Sequence, residues 1–196
     1  QKEKIVIYSA CEHRVYQAGY IDSFNPKKEI ANKEFDIVCA RGYIEYNHTV
    51  KIGYSSFSQN MSFNGSVPFR IKQPSKGSKD KPKIEGSGDV NFSVNGEADK
   101  CTWSGNSPIH VQLEGEILIE NEGPYIELKF NEKVPNIWPV TQLCPDKKPE
   151  KIMMPVMIPA QYDKMKFKFE DGFSITKPFQ GMGGSGTYSW TLHLGK

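Results

Sequence analysis

No stretch of this chain approaches the ~18 consecutive apolar residues of a membrane-spanning helix. The nearest, Ile152 to Ala160, is short and broken by prolines. Charge of one sign is also missing. With 25 basic and 23 acidic side chains the net charge is +2, which excludes the strongly basic surface of a nucleic-acid binder. No C-x-x-C pair occurs, so zinc-ribbon and thioredoxin chemistry have no support. Helical periodicity is absent too: no dozen residues keep an i, i+3, i+4, i+7 apolar stripe.

Catalytic patterns are equally scarce. Histidine is limited to His13, His48, His110 and His193, none at metal-ligand spacing from another. His48 falls on the apolar face of its segment, the position of a core histidine, whereas His110 and His193 fall on polar faces. No G-x-S-x-G elbow surrounds Ser185 or any other serine. Gly181-Met-Gly-Gly-Ser-Gly186 spells G-x-G-x-x-G, but a strand rather than a phosphate-binding helix follows it, so it reads as a glycine turn. Glu114 and Glu116 share one strand face in the manner of paired glycosidase carboxylates, and a solvated face explains them as well. The expectation is a non-enzymatic protein without metal or cofactor.

What is present is period-two alternation. Strands are expected over Lys4–Ser9, Phe35–Ala40, Tyr43–Phe57, Met61–Lys72, Gly88–Val94 and Ala98–Trp103, and again over Ile109–Glu120, Tyr125–Asn131, Tyr162–Phe169, Phe173–Lys177 and Thr187–Leu194. Ile44, Tyr46, Val50, Ile52 and Tyr54 lie on one face of the first long strand, with Glu45, Asn47, Thr49 and Lys51 opposite. Asn95-Gly96 and Asp171-Gly172 are two-residue hairpin signals, and Gly105 to Pro108 reads as a longer loop. Glu12–Lys33 is expected to be a long loop or to hold a short helix. A lysine-rich loop is expected over 74–85 and a proline-rich surface crossover over 132–160. The reading is a single all-β domain spanning 1–196, an antiparallel β-sandwich or β-cup of about ten strands with little or no helix.

Cys11, Cys39, Cys101 and Cys144 make an even set at long spacing, as structural disulfides in an oxidising compartment require. The pairing Cys11–Cys39 with Cys101–Cys144 is favoured among three. Asn47, Asn60, Asn64 and Asn91 each open an N-x-S/T triplet, where chance gives about one, and all four fall on polar strand faces, as N-glycans require. The opening Gln1-Lys-Glu-Lys has no charged-then-apolar leader, as in an exported chain after signal removal. These features point to a secreted or lumenal glycoprotein.

Four of six methionines fall between Lys151 and Met165. Methionine adapts to variable apolar shapes. Ile152, Met153, Met154 and Val156, with Met157, Ile158 and Tyr162, are therefore candidates to line the mouth of a lipid-binding cup. Lys72, Lys76, Lys79, Lys81 and Lys83 allow peripheral contact with an anionic membrane or glycan. A secreted β-cup with an apolar, proline-containing stretch after Cys144-Pro145 resembles in architecture the lipid-recognition folds of the ML and ganglioside-activator type, although its cysteine spacing follows neither. That resemblance implies an apolar ligand held between the sheets. The alternative partner is a cell-surface protein or glycan met by loops or a sheet face. Nucleic acid is not expected.

Overall fold

A computed structural model describes residues 8–9, 16–22, 25–35, 38–39, 41–72, 81–120, 123–135, 137–155, 164–181 and 183–195, with side chains from residue 41 onward except Ile119. The architecture is all-β and antiparallel in its main sheet, as the alternation predicts. Near the start, β1 (Tyr8–Ser9) pairs in parallel with β4 (Val38–Cys39), and β2 (Tyr16–Asp22) pairs antiparallel with β3 (Asn25–Phe35). The segment 12–33, expected as a loop or short helix, therefore carries a hairpin. Tyr16, Ala18 and Tyr20 already alternate with Gln17 and Gly19, a period of two that the polar composition around it obscures.

The main sheet has ten strands and does not close. β5 (Arg41–Tyr54), β6 (Phe57–Lys72), β7 (Lys83–Ala98), β8 (Cys101–Glu120) and β9 (Gly123–Glu132) form a meander. β13 (Phe173–Gly181) and β14 (Gly184–Leu194) form a hairpin that joins it through β14 on β5. β8 is the branching strand. Thr102–Ser104 pair with β10 (Ile137–Leu143), which pairs with β11 (Glu150–Pro155). From Val111 onward β8 pairs with β9, which pairs with β12 (Lys164–Lys168).

Inward residues alternate along every long strand and meet across the fold. Phe130 of β9 lies 5.9 Å from Tyr46 of β5 and 6.2 Å from Trp190 of β14, ring centre to ring centre. Those strands are not neighbours in the sheet, so the sheet curls over and buries one face on itself. Phe92 of β7 meets Trp138 of β10 edge-on at 4.5 Å. The interior is one continuous cluster of these side chains.

The strands run longer than expected because glycines continue them. Gly96, read as a hairpin turn, lies within β7. A Cβ there would stand 2.4 Å from the Trp103 ring, so the glycine makes room for that indole. The turn falls at Asp99–Lys100, with φ of 49° and 68°. Gly105–Pro108, expected as a loop, continues β8; a Cβ at Gly105 would stand 2.8 Å from the Pro139 carbonyl oxygen. Asp171-Gly172 is a turn as predicted, with Gly172 at φ 80°. The G-x-G-x-x-G run turns the β13–β14 hairpin, and Gly183, at φ 71°, lies under the Tyr54 ring. Tyr54, assigned to the apolar face, is 55% exposed at the strand end. The crossover 132–160 contains β10 and β11. They stand beyond β8 at the sheet margin, where Pro139 and Pro155 are tolerated.

Candidate functional site

The outward positions of the long strands divide into two surfaces. Toward β9 and β12 the surface is charged. In register across five strands stand Arg41, Arg70, Glu85, Glu114, Lys129 and, on β12, Lys164. Ion pairs link Lys72 to Glu85, Lys81 to Glu116 (3.3 Å), Lys164 to Glu127 (3.1 Å) and Lys166 to Glu120 (2.5 Å). Glu114 and Glu116 are part of this solvated mosaic.

At the other end of β5–β8, continuing onto β13 and β14, the outward residues are almost all serine, threonine and asparagine. One row reads Thr176, Ser189, Asn47, Asn64 and Asn91 across five adjacent strands. The next reads Thr187, Thr49, Ser62, Ser93 and Asn106. A third runs Ser185, Lys51, Asn60, Asn95 and Ser104 to Thr141 of β10. Neighbouring strands are about 4.8 Å apart and same-face residues just under 7 Å apart along a strand, so the face is a grid of amides and hydroxyls. Hydrogen bonds brace it: Ser174 to Thr191 at 2.8 Å, Thr176 to Ser189 at 3.3 Å, and the Asn60 amide donating to Asn95 at 3.1 Å.

A notch opens at one edge of the grid. The β6–β7 ladder is interrupted between the Asn64–Asn91 and Phe69–Gly86 pairs. Gly65 lies there at φ 154°, its Cβ position 3.1 Å from Val90 Cα. Tyr43, Glu45, Asn47, Asn64 and Ser66 line a cleft of about 370 Å³ over this point. The Tyr43 ring stacks on His193, centroids 4.5 Å apart. His193 Nε2 lies 3.0 Å from the Glu45 carboxylate. An aromatic ring, a carboxylate and two carboxamides thus converge on one concavity.

Beneath the face, His48 is buried and ringed by Tyr46, Phe63, Tyr188 and Trp190. Its Nδ1 accepts the Ser189 amide at 3.2 Å. Burial pushes its pKa down to about 4. Glu132, beside the Tyr46 hydroxyl, is pushed up to about 6, also by burial, with Tyr46 pulling it back. Tyr46 itself is raised well above its ordinary value by burial and by Glu132. The core position expected of His48 is where the structure places it, and His110 and His193 lie outward.

Cys101 and Cys144 form a disulfide, tying the start of β8 to the loop after β10. Cys11 and the side chain of Cys39 lie outside the described residues. Asn47, Asn60, Asn64 and Asn91 all stand on the outer face. Sequence reading treated them as four separate acceptors; the register shows three in one row. Asn and Ser or Thr at i and i+2 share a strand face, so a strand face built from these residues spells N-x-S/T by construction. The cross-strand alignment had no sequence signal.

Of the proposed lipid-contacting residues, Ile152 and Met154 pair with Val140 and Trp138 and pack against the core. Met153 points outward, 58% exposed. Val156, Met157, Ile158 and Tyr162 lie outside the described residues, as do Lys76 and Lys79 of the lysine-rich loop. Among the described residues no helix is long and apolar enough to cross a membrane, and no group of acidic, histidine or cysteine side chains could hold a metal ion.

No family model, curated protein or solved structure matches this chain. None of these comparisons supports the resemblance to lipid-recognition folds, and the functional reading rests on the geometry above.

Proposed function

We propose that this chain is an extracellular recognition module that binds a neutral, hydroxyl-rich glycan on its Ser/Thr/Asn face, with the Tyr43 notch as the anchoring point. The observation that carries the reading is the register-matched grid of hydroxyl and amide side chains, with Lys51 the one charged member of its three rows, beside an aromatic–carboxylate–carboxamide cleft. Sugar hydroxyls both donate and accept, as do hydroxyl and amide side chains, and an aromatic ring offers an apolar face to a pyranose. A single lysine, Lys51, in three rows gives the face too little positive charge to hold a polyanion. The Cys101–Cys144 disulfide supports an oxidising, extracellular compartment.

The earlier lipid reading draws its remaining support from residues 156–163. Before that segment, Ile152 and Met154 pack against the fold's own core, which favours the face over a cavity. Binding of neutral oligosaccharides, measured by calorimetry, tests the proposal. Tyr43→Ala and Asn64→Ala should each weaken binding about tenfold or more. Loss of the exposed Asn64 side chain should leave the melting temperature unchanged, and Tyr43→Ala should lower it only slightly, by the loss of the stack on His193. Equal affinity in both variants and wild type overturns it.

A further inference from the structure

The sequence contains only three arginines against an abundance of lysine: Arg14, Arg41 and Arg70. Two of them, Arg41 and Arg70, stand directly opposite one another on β5 and β6. Cβ atoms of such a pair are about 5 Å apart, and like charges in this arrangement repel. Two other pairs of positive charges share this surface, Lys72 with Lys83 and Lys129 with Lys164. In each of those, one member is tied to a glutamate: Lys72 to Glu85 and Lys164 to Glu127. Among the described residues neither Arg41 nor Arg70 has a carboxylate partner. Arg70 faces Glu85 in register, but that carboxylate is engaged by Lys72.

Both arginines line a cleft of about 710 Å³ on the charged surface, together with Ser87 and Gln112, which oppose each other across β7 and β8. We infer that Arg41 and Arg70 form a binding site for a compact oxyanion, a carboxylate, sulfate or phosphate group carried by a polar ligand. A guanidinium presents a planar fork of donors that matches such a group in a way an ammonium does not. A bridging anion turns the repulsion between the two arginines into attraction. Glu85 and Glu114, which also line the cleft, repel an extended polyanion, so one anionic group fits and a nucleic-acid backbone does not. Ser87 and Gln112 provide neutral donors and acceptors for the rest of the ligand. This site is separate from the uncharged face and stands or falls apart from it.

The test is a titration of the isotopically labelled full chain with sulfate, phosphate and acetate at constant ionic strength, followed by amide NMR shifts. The expected result is saturable shifts at Gly42, Arg70, Ser87 and Gln112, with the tightest of the three anions naming the source chemistry. Arg41→Lys and Arg70→Lys should each weaken binding at least tenfold with the rest of the spectrum unchanged. Lys129→Gln, which removes a charge elsewhere on the same surface, should change it less than twofold. Absence of saturable shifts, full-strength binding by the lysine variants, or equal weakening by Lys129→Gln overturns the site.

Discussion

His48 shows how one residue sets a pH response. Between pH 6.5 and about 4 the unfolded chain takes up a proton at His48 that the folded chain refuses, so its contribution to stability is lost as pH falls through that window. Glu132 acts in the opposite sense. Between its ordinary 4.5 and about 6 the folded chain holds a proton that the unfolded chain has released, so its contribution is lost as pH rises. Over about pH 4.5 to 6 the two uptakes cancel. His48→Asn keeps an acceptor for the Ser189 amide and removes the histidine's titration. Denaturant unfolding should show the wild type's stability relative to this variant falling by about 3 kcal/mol from pH 7 to pH 4. A constant difference across that range contradicts the assignment. The burial of His48 was legible in the sequence, from its place among alternating apolar residues. The contact of Tyr46 with Glu132 was not, because the two come together only when β9 folds over β5.

Elements were legible wherever a strand's own alternation decides them, as in β5, β6 and β14. Turns were misplaced where a neighbouring strand decides them. Asn95-Gly96 has hairpin chemistry, yet packing of Trp103 against Gly96 outweighs it and moves the turn to Asp99–Lys100. Gly96→Ala should therefore destabilise the fold by about 1–3 kcal/mol, read as a lower denaturation midpoint at unchanged slope. A neutral effect would show that the close approach is easily relieved. Lys100→Gly, at a position with positive φ, should stabilise by about 0.5–1 kcal/mol. The Cys101–Cys144 link closes a loop across a sequence separation of 43. Replacing both cysteines with serine should cost about 3–4 kcal/mol, measured the same way. The edge strand β11 and its neighbour β10 escaped detection because their prolines mask a pattern that strands at the sheet margin tolerate.

For the whole molecule, the period-two pattern implied an all-β sandwich or cup. It did not imply the branching of β8 or the division of the outer surface into charged and uncharged parts, which depend on register across six strands. That division recasts the sequons. Asn47, Asn64 and Asn91 are neighbours about 5 Å apart, so a glycan on one covers the others and the Tyr43 notch. Protein secreted from eukaryotic cells and glycosylated in this row should bind oligosaccharide at least tenfold more weakly than unglycosylated protein. Equal affinity would place the ligand elsewhere. The most direct measurement of the central claim is an amide NMR titration of the unglycosylated chain with a panel of neutral oligosaccharides. Saturable shifts are expected, confined to the outer-face residues of β5, β6, β7 and β14 and strongest around Tyr43, Asn47 and Asn64. Shifts confined instead to interior residues on addition of a lipid, with none of the saccharides moving the face, would contradict it.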